Sequence, residues 1–475
     1  VTSTTTGVEA GVDTSLVDGL VADLSDWSVE PTALQAARRD RSGVPAPGDP
    51  AVVVRARSVA EVQHTARWCS ATRTPLVVRG AGSGLAGAAT AGAGVVVLDL
   101  SRLDRIVEVD PVDQVAVVEA GVVTAALDAA AAEHGLMYAP DPGSVGISTI
   151  GGNIATNAGG LRGAKHGVTR EAVLALDVVL ADGRLIHVGR RTLKGVTGYD
   201  LVGLFTGSEG TLGVVVGATL RLLPRPAAVA TALATFTSVA AAAAAASAVV
   251  SSGVRPLVLE LVDGATLGAI DALAGTALQV ATGPSGAVLV AQTDGSSSAA
   301  ARGELDRLAA VLTPLALTVE ATDDAARAEQ LLTARRAALP AVERRGRVLI
   351  EDIAVPLSRL AEAVEGVQGI AAQTGTEIYV LAHAADGNLH PLIAVPGGSG
   401  EGQDEAPLPP QVLAAADAVF DLALRLGGTV TGEHGVGSLK REHAARELGP
   451  DVVELQHQLK AVLDPSGILN PHTTL

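Results

Sequence analysis

The residues best suited to chemistry in this chain are two histidines separated by a turn and a Glu-His pair further along. The first stretch reads His383-Ala384-Ala385-Asp386-Gly387-Asn388-Leu389-His390. Asp-Gly-Asn is a turn signal. A turn between two imidazoles folds them towards one point, which joint ligation of a metal requires. A lone histidine pair is more often plain core or surface histidine. Glu433-His434 shifts the weight, because a carboxylate with two imidazoles is a common donor set for Zn²⁺, Mn²⁺ or Fe²⁺.

A second kind of chemistry is written in glycine. Pro140-Asp141-Pro142-Gly143-Ser144 runs on through Thr149-Ile150-Gly151-Gly152-Asn153 to Thr156-Asn157-Ala158-Gly159-Gly160. That density of Gly, Pro, Ser, Thr and Asn exceeds the needs of one turn. Without a Cβ the backbone can approach a ligand closely, and successive free N–H groups can form an anion-binding concavity. The stretch reads as a loop around a phosphate-bearing cofactor. Arg79-Gly80-Ala81-Gly82-Ser83-Gly84-Leu85 upstream and Gly207-Ser208-Glu209-Gly210-Thr211-Leu212-Gly213 downstream argue against the alternative of an ordinary surface loop.

The elements that position these residues follow from apolar periodicity. Strands are expected at Ala51–Val54, Pro75–Val78, Val95–Leu98, Arg105–Val109 and Val115–Glu119. Ser58 caps a helix over Val59–Thr72, with Glu61 placed for a capping box. A helix over Val122–His134 ends at Gly135. Strand Ala172–Leu180 turns at Asp182-Gly183 into Leu185–Val188. After a composition break at Pro224 and Pro226, strands Ala227–Phe236, Leu257–Leu261 and Ala287–Gln292 alternate with helices to Val250 and over Ala299–Leu312. These imply a second domain, an antiparallel sheet with helices on one side. Gln411–Leu426 is a further helix. Helical spacing also marks Leu16–Leu24 and Glu30–Ala37. The tail Val1–Val12 and the loop Pro396–Pro410 read as irregular.

Composition bounds the function. A chain of 475 residues with a net charge of −17 is long enough for more than one domain. Its charge argues against a nucleic-acid surface. The single cysteine, Cys69, forms no internal disulfide and reads as buried and inert. No secretory signal is seen at the N-terminus. The uncharged run Pro226–Val254 is broken by Thr and Ser and reads as two elements rather than a membrane span.

The glycine stretches, His383–His390 and Gly432-Glu433-His434-Gly435 resemble the vanillyl-alcohol oxidase / p-cresol methylhydroxylase superfamily. Within it they resemble the FAD-linked D-2-hydroxyacid dehydrogenases of the D-lactate dehydrogenase and glycolate oxidase flavoprotein type. The similarity runs from about Pro47 to Pro471. It implies an α+β architecture. A two-part FAD-binding domain (47–225) follows an N-terminal tail and helices (1–46). An antiparallel-sheet cap with flanking helices (226–426) precedes a C-terminal segment (427–475) that returns to the FAD domain.

The resemblance implies a contact set for FAD. The first loop gives Arg79, Gly80, Ala81, Gly82, Ser83, Gly84 and Leu85. The second gives Pro140, Asp141, Pro142, Gly143, Ser144, Thr149, Ile150, Gly151, Gly152, Ala155, Thr156, Asn157 and Gly160. The third gives Glu209, Gly210, Leu212, Gly213, Val214 and Val215, and the C-terminal segment gives Asn470. It also implies a divalent transition metal on His383, His390 and Glu433, His434 as catalytic base, and Arg335, in Thr333-Ala334-Arg335, for the substrate carboxylate. Arg335 is expected to matter little for stability. Ser83-Gly84 stands where covalent-flavin relatives carry His, so non-covalent FAD is implied. Ile350 stands where 2-hydroxyglutarate enzymes carry Lys, so a small monocarboxylate such as D-lactate or glycolate is favoured.

Expected partners are the hydroxy acid and an electron acceptor: a quinone, cytochrome, electron-transfer flavoprotein or iron–sulfur subunit. No transmembrane segment is expected. The location is cytoplasmic, or at the membrane periphery through the redox partner, and an oligomer is compatible with the sequence. Two other readings stay open, a flavin-binding subunit of a multi-subunit glycolate oxidase and a metal-dependent hydrolase.

Overall fold

Short runs that are apolar on both faces become the buried strands of the N-terminal half. The computed structural model describes residues 17–396 and 407–473. The tail Val1–Val12 and the loop segment 397–406 lie outside the described residues. Val52–Arg55, Val96–Asp99 and Leu76–Arg79 lie side by side in parallel, with Trp27–Ser28 antiparallel at the edge. The crossover helix Val59–Thr72 begins at Ser58, whose Oγ accepts the Glu61 N–H at 3.3 Å. Half of the expected capping box forms. The Glu61 carboxylate turns instead to Ser25 and to the Arg57 N–H at 2.7 Å. Cys69 is buried in the core beneath this sheet, and burial pushes its thiol up to about 12.

A second sheet is wholly antiparallel, in the order Ile106–Asp110, Val115–Glu119, Val214–Arg221, Val173–Val179, Leu185–Gly189. Its hairpin turns at Gly183, which takes a φ of +80°. The chain returns at its C-terminus. Leu76 N–H donates to Ile468 O and Asn470 N–H donates to Leu76 O, each at 2.8 Å, so residues 468–470 extend the edge of the parallel sheet.

The third sheet is large and antiparallel. It runs Thr318–Thr322, Ala228–Phe236, Ala287–Gly295, Val258–Asp263, Ile378–His383, Asn388–Ala394, Val348–Ile350, with Ile353–Ala354 also on the sixth strand. Helices cover both faces, not one as the sequence suggested. Val239–Ser251, Ser298–Leu312, Leu360–Thr374 and Pro410–Arg425 pack on the face carrying Leu259, Leu289 and Val380. Gly264–Ala274 and Ala325–Glu343 pack on the face carrying Val262, Val290 and Leu381. The strands are apolar on both sides, so each face needs a cover. The run Pro226–Val254 resolves into strand Ala228–Phe236 and helix Val239–Ser251. Among the described residues, no helix is long and apolar enough to cross a membrane.

Candidate active site

A cavity of about 1110 Å³ lies between the glycine loops and the large sheet. Strand Leu76–Arg79 delivers its first loop. Gly80, Ala81, Gly82, Ser83, Gly84 and Leu85 all line it, and among the described residues none of their N–H groups has a hydrogen-bond partner. The N–H groups of Gly143 and Ser144 are equally unspent. Such a row of free donors suits the phosphates of a dinucleotide. Gly80 is required for packing, because a Cβ there would stand 2.4 Å from Thr149 Oγ1. Gly82 is required by its φ of +65°.

Most of the expected cofactor residues meet at this cavity. Pro140 to Ser144, Thr149, Gly151, Gly152, Ala155, Thr156, Gly160, Glu209, Gly210, Gly213, Val215 and Asn470 line it. Arg79, Ile150, Asn157, Leu212 and Val214 do not. The Arg79 side chain donates to Ala89 O at 2.8 Å. Ile150, Leu212 and Val214 are core residues, and Asn157 is the left-handed C-cap of helix Ile150–Thr156.

At the other end of the cavity the two histidines and Glu433 converge. His383 and His390 project from the same face of the hairpin Ile378–His383/Asn388–Ala394, two residues apart in register. Gly387, at a φ of +83°, makes the turn between those strands. Their Nε2 atoms lie 3.2 Å and 3.1 Å from one oxygen, Glu433 Oε1. His434 Nε2 lies 3.9 Å from the same oxygen. One donor atom from each of His383, His390 and Glu433 falls within 4.8 Å of the others. A divalent transition ion fits this donor set.

Two carboxylates that the sequence reading passed over hold the cluster together. Glu260, 1 % exposed, accepts from His383 Nδ1 at 2.7 Å and from Arg335 Nε at 2.7 Å. A carboxylate behind the imidazole fixes its tautomer and orientation, as is usual at metal-binding histidines. The only hint in sequence is a Glu inside the apolar strand Val258–Asp263. Asp352 is fully buried. Its Oδ2 accepts the N–H groups of Gly432, Glu433 and His434 at 2.8–2.9 Å and the Thr431 hydroxyl at 2.7 Å. That carboxylate sets the loop carrying Glu433 and His434. Its Oδ1 lies 3.7 Å from His390 Nδ1.

Burial and neighbouring charge act differently on each of these groups. Burial drives the His434 imidazole down to about 4, outweighing the pull of Asp352. That shift favours the neutral imidazole, and it makes His434 a weaker base than an ordinary histidine. Burial opposes charge on Glu433, but His383 and His390 beside it hold its carboxyl well below the usual range. Burial likewise opposes charge on His383, and Glu260 and Glu433 overcome it, raising the imidazole well above its ordinary value. Arg335 lines the cavity. Its Nε is spent on Glu260, while among the described residues Nη1 and Nη2 have no partner. Arg336 is exposed and pairs with Glu329.

Residues 225–474 match the family described as FAD linked oxidases, C-terminal domain, and residues 50–189 match an FAD binding domain. The chain is 38 % identical over 424 residues to glycolate oxidase subunit GlcD of Bacillus subtilis, covering 89 % of this chain and 88 % of that one. It is 31 % identical over 427 residues to a D-lactate dehydrogenase of Anaerostipes hadrus, covering 89 % of each. The solved structure of p-cresol methylhydroxylase shares the fold at a TM-score of 0.78 and 18 % identity, over 98 % of both chains. This chain belongs to the FAD-linked oxidase family. It is an FAD-linked oxidoreductase of the glycolate oxidase/D-lactate dehydrogenase type, with the vanillyl-alcohol oxidase / p-cresol methylhydroxylase fold.

Proposed function

We propose that the chain oxidises a D-2-hydroxy monocarboxylate to its 2-oxo acid, D-lactate and glycolate being the smallest candidates. The observation that carries this reading is one cavity lined by both the cofactor loops and the His383–His390–Glu433–His434 cluster. In this reading residues 47–225 hold FAD, 226–426 cover the substrate and 427–475 complete the site. FAD held by the glycine loops would supply a hydride acceptor, and a divalent ion held by His383, His390 and Glu433 would supply Lewis-acid chemistry that lowers the pKa of a bound hydroxyl. The free Nη groups of Arg335 receive the substrate carboxylate as a charge-assisted pair. Neutral His434 accepts the hydroxyl proton. Glu260 holds His383 and Arg335 at a fixed spacing, and Asp352 holds the backbone of His434.

A panel of D- and L-2-hydroxy acids, with an artificial dye as acceptor, tests this before and after chelation. D-acids should reduce the dye, L-acids should not, and chelation should abolish turnover. Glu433→Gln should lose metal and turnover together while retaining flavin. Wild-type protein without stoichiometric transition metal would remove the ion from the reading. A second reading is favoured by the relatives called glycolate oxidase subunits: the chain works as the flavin-bearing part of a larger oxidase. Dye reduction by this chain alone argues against a strict need for such partners. The hydrolase reading gives way to the FAD-binding domain match.

A further inference from the structure

The cavity wall beside the histidine cluster is aliphatic, and strand register shows how directly the two adjoin. Side chains alternate across a strand. Tyr379, Leu381 and His383 therefore share one face of their strand, and Asn388, His390 and Leu392 share the same face of the next. Leu381 stands opposite His390, and Leu392 stands opposite Tyr379 on one side and Ile350 on the other. Moving from His390 across this face, the next groups are Leu381, Leu392 and Ile350. Helix Ala325–Glu343 lies over them and places Leu339 one turn beyond Arg335. These four aliphatic residues belong to one apolar cluster, and each also lines the cavity. Leu381 and Leu392 are almost fully buried, whereas Leu339 and Ile350 keep part of their surface open.

The charged groups near this wall are already engaged. Arg336 pairs with Glu329, and Glu343 pairs with Arg41 at 3.3 Å. A second carboxylate on the substrate would be desolvated against alkyl groups with no cation offered to it, which is strongly unfavourable. An alkyl chain would gain from the same surroundings.

The geometry points to a subsite formed by Leu339, Ile350, Leu381 and Leu392 that takes the side chain of a 2-hydroxy acid with an alkyl group longer than methyl, such as 2-hydroxyvalerate or 2-hydroxyisocaproate. This rests on the proposed oxidation and narrows its substrate class. With the carboxylate on Arg335 and the hydroxyl at His434, the remaining substituent of Cα has this wall beside it.

The test is a chain-length series on the flavin-loaded enzyme: glycolate, D-lactate, D-2-hydroxybutyrate, D-2-hydroxyvalerate, D-2-hydroxyisocaproate and D-2-hydroxyglutarate. Each methylene buried should raise kcat/KM about fourfold, which corresponds to ~0.8 kcal/mol. D-2-hydroxyvalerate should thus exceed D-lactate by about sixteenfold, and D-2-hydroxyglutarate should be the poorest. Leu339→Asn and Ile350→Thr should flatten the series, lowering the ratio of D-2-hydroxyvalerate to glycolate at least about fivefold. Binding gives a second readout without turnover. Acetate, propionate, butyrate and valerate should raise the Tm progressively at equal concentration. A series that is flat or falls beyond D-lactate, or that peaks at D-2-hydroxyglutarate, overturns the subsite. If no hydroxy acid reduces the flavin while longer carboxylates still bind better, the proposed oxidation fails and the subsite stands.

Discussion

A carboxylate buried beneath both Arg335 and His383 changes what substitution at either position does. From sequence, Arg335 looked like a substrate contact with little bearing on stability. The structure overturns that expectation, because its guanidinium is also the countercharge of Glu260, which is 1 % exposed. Removing the guanidinium takes one of two partners from Glu260, leaving it to His383, and costs about 1.5–3 kcal/mol for the lost bond to a charged group. Arg335→Ala should therefore lower kcat/KM for a 2-hydroxy acid at least about tenfold and also lower the Tm. The double variant Arg335→Met/Glu260→Gln removes both charges, so it should regain much of the stability but not the turnover. Arg336→Ala, at an exposed pair, should leave both nearly intact. Kinetics and thermal melts on the three variants decide the matter, and an Arg335→Ala protein as stable as wild type would contradict the shared role. At this scale the sequence disclosed His383, His390, Glu433 and His434, since their types and turn chemistry are local. Glu260 was illegible because its meeting with His383 depends on the register of strands far apart in sequence.

At the scale of elements, the strands of the N-terminal half were readable because each is a short apolar run between turn residues. The helices on the cavity face of the large sheet were not. Ala325–Glu343 carries many charges and little apolar bias, so its cover of the sheet is decided by tertiary packing. Gly264–Ala274 follows its strand directly, with Asp263-Gly264 as the junction and no intervening loop, so the change of element is hard to see in the sequence. Its start is fixed by Asp263, a buried N-cap accepting from Thr266 N–H at 2.9 Å and from the Thr266 hydroxyl at 2.5 Å. Burial pushes the Asp263 carboxyl up to about 6, against the pull of those donors. A carboxyl raised in the folded state favours folding fully below its unfolded value near 4, and that contribution is lost as pH rises through about 6. The loss amounts to about 2–3 kcal/mol. Asp263→Asn cannot ionise. The Tm difference between variant and wild type should therefore move in the variant's favour from pH 4 to pH 7. A difference that stays constant over that range would show that Asp263 does not titrate in the folded protein.

On the scale of the whole molecule, the last residues of the chain tie the cofactor loops together. Asn470 Oδ1 accepts the Val78 N–H at 2.9 Å, just before the first loop. Its Nδ2 donates to Glu209 O at 2.7 Å, inside the third. Both loops line the cavity, so one side chain sets their spacing from a third part of the sequence. Asn470 sits at a φ of +39°, which glycine tolerates. Asn470→Gly therefore removes these bonds, together with a longer one from Nδ2 to Ala88 O at 3.4 Å, without straining the backbone. It strands a part-buried N–H and a buried carbonyl, the latter at about 1–3 kcal/mol. We expect a lower Tm and a sharp loss of FAD on gel filtration, with partial recovery when free FAD is added in excess, because ligand that binds only the folded state stabilises it by mass action. Acid should release the flavin of the wild type entirely, in keeping with Ser83-Gly84 where covalent-flavin relatives carry His. His472→Ala, exposed two residues away, is the control. Full flavin retention and an unchanged Tm in Asn470→Gly would mean that the loops hold their spacing without this clasp.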